Sequence, residues 1–265
     1  MTAWDRIQIV REKTRPSAAD YIPMIFDRFY ELHGDRLFGD DHAITGGLAL
    51  IDELPVTLIA QVKGHTLEEN KQVNFAMPHP EGYRKALRLM KQAEKFHRPV
   101  VCFIDTPGAF CGIEAEERGQ GEAIARNLYE MMQLRTPVIS VVLSEGGSGG
   151  ALGLGVCDEL AMLSNAVYSV ISPRGFASIL WKDPSREEEA ANIMRITAED
   201  LVELKVAEQI IPEPVGGAHR NPRLTASNIT EYLRSTILKL NKLPIDILLQ
   251  RRYDKFRLIG EYMES

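Results

Sequence analysis

The stretch that most constrains this chain is Pro137-Val138-Ile139-Ser140-Val141-Val142-Leu143-Ser144-Glu145, followed at once by Gly146-Gly147-Ser148-Gly149-Gly150. An apolar, β-branched run bounded by proline and glycine predicts a buried strand. The four glycines in five positions lead into Ala151-Leu152-Gly153-Leu154-Gly155, which reads as a helix start. Glycine lets backbone approach backbone or ligand closely, and the first N–H groups of a helix have no partner inside it. A strand running through glycines into a helix therefore aims main-chain donors at an anion.

Elements on either side fit an α/β class. Residues 1–20 are polar, and Tyr21 to Leu32 reads as a short helix with Ile25, Phe26 and Phe29 on one side. Asp35 to Asp41 reads as a charged loop. Ile44 to Ile51 and Val56 to Val62 predict a hairpin with a turn of four residues, Asp52 to Pro55. The polar segment from Lys63 to Asn74 reads as mobile or partner-facing. After Pro78-His79-Pro80, Tyr83, Ala86, Leu87, Met90 and Ala93 mark one face of an amphipathic helix. Its other faces carry Arg84, Lys85, Arg88, Lys91 and Lys95, which is either a solvated face or a docking surface for an acidic partner or a phosphate. Pro99 to Ile104 predicts a second buried strand, ended by Asp105-Thr106-Pro107-Gly108-Ala109, and Glu114 to Leu134 a helix. Two successive strands thus end in glycine-bearing turns, at Gly108 and at Gly146 to Gly150, and such strand ends are where α/β folds place ligands.

Downstream, Leu160 to Leu163 and Val167 to Ile171 read as a strand pair. Phe176 to Trp181, Arg186 to Met194 and Thr197 to Leu204 read as short helices, the last with Thr197 as its cap. Gln209 to Ile211 is a final brief strand. From about residue 223 the chain is helical, broken at Pro244 before a last helix carrying Arg251-Arg252. No low-complexity linker interrupts it, so residues 1–265 read as a single domain with a C-terminal helical part available for subunit contacts. A chain of 265 residues, 45% hydrophobic and 26% charged, is long enough for one large α/β domain. A formal net charge of −6 argues against nucleic acid as the main partner. No apolar run reaches the ~20 residues needed to span a bilayer, and Met1 to Arg6 has no signal-peptide core. Cys102, Cys111 and Cys157 are odd in number and widely spaced, which fits free thiols in a reducing cytoplasm rather than disulfides or metal ligands.

The glycine turn admits three chemistries. Gly146-Gly147-Ser148-Gly149-Gly150 matches the G-x-S-x-G elbow of serine hydrolases, which would need His219, the one histidine after Ser148, and an acid such as Asp158, Asp183 or Asp200. Phosphate binding by a P-loop or a dinucleotide fold fits poorly, because G-x-x-x-x-G-K-[ST] is absent and G-x-G-x-x-G does not occur in this turn. The third is an oxyanion hole of main-chain N–H groups from Gly149 and Gly150, with Gly108 and Ala109 lining the same cavity. Against it stands plain close packing of helix on strand, which also demands glycine.

Several longer runs carry a resemblance: Pro80-Glu81-Gly82-Tyr83-Arg84-Lys85-Ala86-Leu87, Ile104-Asp105-Thr106-Pro107-Gly108-Ala109, Ala115-Glu116-Glu117-Arg118-Gly119-Gln120, Glu145 to Leu152, and Gly216-Gly217-Ala218-His219-Arg220-Asn221-Pro222. They resemble the α subunits of bacterial acetyl-CoA carboxylase carboxyltransferase, over nearly the whole chain from about Trp4 to Tyr253. The N-terminal helical extension of longer members is missing, and Cys111 stands where a proline is often found. The resemblance implies a crotonase-like fold of repeated ββα units. It implies transfer of a carboxyl group from carboxybiotin, borne on a biotin carboxyl carrier protein, to acetyl-CoA, giving malonyl-CoA for fatty acid synthesis. It also implies that the main chain of Gly149 and Gly150 holds the biotin ureido oxyanion, with Gly108, Ala109, Gly146 and Gly147 around the substrate. A β subunit would supply the acetyl-CoA enolate hole and a zinc ribbon in an α₂β₂ assembly, so no metal is expected on this chain. The remaining alternative is a non-catalytic scaffold subunit.

Overall fold

The computed structural model describes residues 1–260. Helices α1 (Ala3–Val10) and α2 (Ala18–Ile25) open the chain, each begun by a capping box, Thr2 with Asp5 and Ser17 with Asp20. Strand β1 (Arg28–Glu31) follows, then β2 (Ile44–Ile51) and β3 (Leu54–Gln61). The expected helix from Tyr21 to Leu32 therefore divides. Its first part is helical, and Phe29 lies in an edge strand paired to Ala49. The hairpin turn is tighter than expected. Asp52 and Glu53 alone connect the strands, both with positive φ (45° and 65°), the geometry that matches strand twist in two-residue turns.

Helix α3 (Leu67–Gln72) occupies the polar segment, ordered by a capping box between Thr66 and Glu69. Helix α4 (Pro80–Lys95) buries Tyr83, Ala86, Leu89, Met90 and Ala93. Arg84, Lys85, Arg88 and Lys91 are engaged within the chain, which removes most of the open basic face and leaves Lys95 exposed at the end of the helix. Lys85 is buried on Asp40 (2.5 Å) and the Asp41 carbonyl (2.8 Å), Arg84 binds Asp35 (2.8 Å), and Arg88 donates to the Gly34 carbonyl. The charged loop from Asp35 to Asp41 is thus the acidic partner of that helix.

Strand β4 (Val100–Thr106) is buried throughout. The expected helix from Glu114 to Leu134 is two, α5 (Ile113–Glu117) and α6 (Gln120–Gln133), because Gly119 between them is left-handed (φ 83°). Strand β5 (Val138–Gly147) leads directly into α7 (Ser148–Leu152). Then come β6 (Glu159–Leu163), β7 (Val167–Ser169), α8 (Pro173–Phe176) with a π turn through Trp181, α9 (Glu187–Ile193), α10 (Ala198–Glu203) and β8 (Gln209–Ile211). Two long helices close the chain, α11 (Pro222–Leu240) and α12 (Ile245–Leu258).

The sheet runs β1-β2-β3-β4-β5-β6-β8, antiparallel as far as β3 and parallel beyond. Strands β6 and β7 do not pair with each other as expected. Both lie parallel to β5: β6 pairs with Ile139 to Val142, and β7 takes the free end at Glu145 to Gly147. The length of β5 allows this fork. The main apolar core extends from Ala18 to Leu248, with α4 and α6 packed together and α11 against α2 and β5, and a smaller one joins Ile7 and Val10 to Val167, Ala191 and Ile196. That is why β4 and β5 read as continuous apolar runs: side chains on both faces of each strand are covered.

Candidate active site

The glycine turn is shaped by neighbours that leave no room for side chains. A Cβ on Gly146 would lie 2.1 Å from the Tyr168 ring, on Gly147 2.1 Å from the Pro107 carbonyl oxygen, and on Gly150 2.5 Å from the Ala109 nitrogen. Close packing therefore explains these three glycines. Gly149 is different. Its Cβ would meet only Ile124 of α6, at 3.8 Å, an ordinary contact. Packing gives no reason for glycine there.

The crowding at Gly150 brings the ends of β4 and β5 together. Gly108 N–H donates to Thr106 Oγ1 and Phe110 N–H to the Pro78 carbonyl, both at 3.0 Å. Ala109 N–H, between them and facing Gly150, has no acceptor among the described residues. The N–H groups at the start of α7 lack intrahelical partners by construction. Gly150 itself is fixed from behind: its carbonyl accepts from Gln61 Nε2 (2.7 Å) and the Tyr83 hydroxyl (3.1 Å). Gly146 and Gly147 line a small cavity of about 60 Å³ with Arg11, Pro107, Glu145 and Ser148.

The hydrolase arrangement does not assemble. Ser148 is exposed and left-handed (φ 49°), as a strained elbow would be, but its hydroxyl has no histidine partner among the described residues. His219 lies beyond β8 beside Gly217, and each candidate acid is committed elsewhere. Asp158 binds Arg252, Asp183 holds the Ser185 N–H, and Asp200 caps α10 through Thr197.

An ionic cluster not foreseen from the sequence sits behind the turn. Lys63 Nζ lies 2.6 Å from Asp105 Oδ1 and 3.2 Å from Glu145 Oε2, and Arg11 Nε lies 3.0 Å from Glu145 Oε1. Burial works against the Lys63 ammonium, yet Asp105 and Glu145 outweigh it and hold its pKa above the ordinary lysine value. Burial likewise raises Glu145, but Lys63 and Arg11 prevail and keep it below the ordinary carboxylate range. The visible signal was an acid at each of two buried strand ends, Asp105 and Glu145, with no partner nearby in sequence. The cluster borders a second cavity of about 480 Å³ under the segment joining α1 to α2.

His65 fastens that segment. Its Nδ1 donates to the Lys13 carbonyl (3.3 Å) and its Nε2 to Asp20 Oδ2 (2.8 Å). A carbonyl and an ionised carboxylate only accept, so the protonated ring alone satisfies both contacts, and its pKa is raised chiefly by the Asp20 hydrogen bond. A raised folded-state pKa gives stability that is full below about 6.5 and drains away as pH rises through the higher value. The melting-temperature gap between wild type and His65→Leu is therefore largest near pH 6 and narrows under alkaline conditions, where the neutral ring keeps one N–H for Asp20; a gap constant with pH would contradict a charged ring.

Among the described residues no group of three or more His, Cys, Asp or Glu is arranged to hold a metal ion. No described helix is long and apolar enough to cross a membrane.

A family model described as acetyl co-enzyme A carboxylase carboxyltransferase-like matches residues 1–260. The acetyl-coenzyme A carboxylase carboxyl transferase subunit alpha of Clostridium perfringens is 59% identical over 257 residues, covering 97% of this chain and 95% of that one. A Clostridium tetani protein named as subunits beta/alpha is 56% identical over 262 residues, 99% of this chain and 46% of its own length. Among solved structures, a transcarboxylase 12S core superposes with a TM-score of 0.66 at 18% identity, covering 87% of this chain and 44% of that one. That last likeness concerns the fold, which is the crotonase-like α/β architecture expected above.

Proposed function

The chain belongs to the acetyl-CoA carboxylase carboxyltransferase α-subunit family, and we propose that its main chain at the β4 and β5 ends supplies the oxyanion hole for the carboxyl transfer that yields malonyl-CoA. The observation that carries this reading is the unpaired Ala109 N–H set against Gly150 at the start of α7. Carboxybiotin, when bound, supplies the carboxyl group and leaves negative charge on its ureido oxygen. Gly149, Gly150 and Ala109 present donors to that charge, each worth about 3 kcal/mol when preorganised. Gln61 and Tyr83 keep Gly150 in place, so no reorganisation is needed as charge develops. Gly108, Gly146 and Gly147 shape the surrounding walls. No side-chain nucleophile is required, in keeping with a Ser148 that has no base.

The partner is a β subunit, as the α-subunit name of the relatives and the beta/alpha relative both support. An α₂β₂ stoichiometry, a biotin carboxyl carrier protein as donor, zinc on the β subunit and a cytoplasmic setting complete the proposal. Residues 1–265 act in it as one carboxyltransferase domain. The test is malonyl-CoA/biocytin exchange. The chain alone is inactive, and activity appears when it is co-purified with a zinc-ribbon β subunit. In that complex Ser148→Ala retains activity within about threefold, since the serine contributes no donor that a helix start lacks. Complete loss in a folded Ser148→Ala complex would overturn the oxyanion reading and revive the hydrolase. Failure of any β subunit to restore activity would leave the chain a scaffold.

A further inference from the structure

Two side chains at the end of β3 reach the two strand ends that build the proposed oxyanion hole. Gln61, fully buried, accepts from the Asp105 N–H with Oε1 (3.1 Å) and donates to the Gly150 carbonyl with Nε2 (2.7 Å). One amide thus ties β4 to the first turn of α7. Lys63 bonds the carboxylates of Asp105 and Glu145, and Asp105 Oδ1 also accepts the Glu145 N–H (3.3 Å). Asp105 lies three residues before Gly108, and Glu145 lies one residue before the glycine turn. We propose that Gln61 and Lys63 are positioning residues that clamp the β4 and β5 ends and thereby set the spacing of the Ala109 and Gly149–Gly150 donors. The inference rests on the oxyanion-hole reading of those donors.

The clamp has an electrostatic part and a neutral part. Without the Lys63 ammonium, Asp105 and Glu145 face each other as carboxylates, with Arg11 paired to Glu145 only. Of the other groups near Asp105, Arg15 is bonded to Glu213 (2.7 Å), and burial keeps the Tyr21 phenol neutral. Like charges so placed push the strand ends apart. Protonating one carboxylate removes the repulsion, so the defect of a Lys63 variant shrinks on acidification. Gln61 carries no charge, and its loss is indifferent to pH.

The test uses the assembled complex with its β subunit in malonyl-CoA/biocytin exchange, beside amide hydrogen exchange of peptides spanning 104–110 and 143–152. For Lys63→Met the expected result is a fall in kcat of roughly 10²-fold with KM for malonyl-CoA little changed, the size of loss that a small misplacement of catalytic groups produces. Amide exchange quickens in those two segments alone, and the ratio to wild-type activity recovers as pH is lowered. Lys63→Arg, which keeps the cation, restores kcat, and Gln61→Met lowers it with no recovery on acidification. Should Lys63→Met not fold, Gln61→Met and Lys63→Arg decide the matter through the same kcat and exchange readouts. Wild-type kcat and exchange in either neutral variant, while Gly149→Leu is inactive, overturns the clamp and spares the hole. If Gly149→Leu is itself active, the hole fails first. A defect in Lys63→Met that does not change with pH overturns the electrostatic clamp.

Discussion

Replacing Gly149 by leucine leaves the protein folded and removes carboxyl transfer. A Cβ at this position is in ordinary contact: beyond its own helix, the described atoms within 4 Å of it are two carbons of Ile124, at 3.8 and 3.9 Å. Glycine is about 1 kcal/mol poorer than an ordinary residue in a helix, so the substitution is expected to hold or raise the melting temperature. The activity argument comes from helix geometry. Every Cα–Cβ bond of a helix tilts toward its N-terminus, so a long side chain at the second position of α7 lies over the N–H groups of the first turn. Those are the donors proposed for the oxyanion. Screening one of them costs a factor of about 10² to 10³ in kcat. Gly149→Ala gives a smaller loss in the same direction. Gly150→Ala cannot separate the two roles, because its methyl group meets the Ala109 nitrogen and displaces the β4 turn, taking stability and activity together. The decisive pair of measurements is the melting curve and the exchange rate of the Gly149→Leu complex. A wild-type rate in that variant would show that the glycine turn is packing alone.

Position 149 also marks the limit of what the sequence disclosed. Strands β4 and β5 were legible because both faces are buried, and an apolar run bounded by proline and glycine has few other uses. The sequence singled out Gly149 and Gly150 as donors but did not show what packs on each glycine: Tyr168, Pro107 and Ala109 account for Gly146, Gly147 and Gly150, and those contacts are made across the fold. Ser148 resembled a nucleophile for a related reason. Its positive φ is what a tight strand-to-helix turn imposes, whether or not a base stands nearby. The basic face of α4 was misread as open because its counter-charges, Asp35 and Asp40, lie in a loop some 45 to 50 residues earlier. Local rules failed at Asp52-Glu53 too, where non-glycine residues hold a turn usually given to Asn-Gly. The Lys63 cluster needed three strand ends to be neighbours, which no single stretch of sequence states. Family resemblance supplied the activity; the structure supplied the contacts that hold the glycine turn in shape.

The largest stability effect is expected far from that site, at Arg252. The sequence shows it only as one of two arginines in the last helix, but its side chain is completely buried and all its donor groups are used. Nε and Nη2 bind the two oxygens of Asp158 (2.9 and 2.6 Å), Nη1 binds the carbonyls of Met131 and Leu134 (2.7 and 2.8 Å), and Nη2 also binds the Thr136 carbonyl (3.0 Å). Asp158 in turn accepts the Val138 N–H (2.7 Å), so the pair pins α12 to the start of β5. Arg252→Met leaves the buried Asp158 carboxylate without its counter-charge and takes one donor each from the Met131, Leu134 and Thr136 carbonyls. Breaking such a pair from one side costs about 3–5 kcal/mol, which in a chain of this size lowers the melting temperature by roughly 10 °C. Adding Asp158→Leu recovers part of the loss, because no unpaired charge then remains inside; a double variant less stable than Arg252→Met would contradict that account. The glycine turn lies at the opposite end of β5, with Gln61, Tyr83 and Lys63 holding it independently of α12. Below its melting temperature Arg252→Met therefore keeps its exchange activity once assembled. The Arg252–Asp158 pair and the proposed oxyanion hole lie at the two ends of one strand, and each variant should disturb one end without the other.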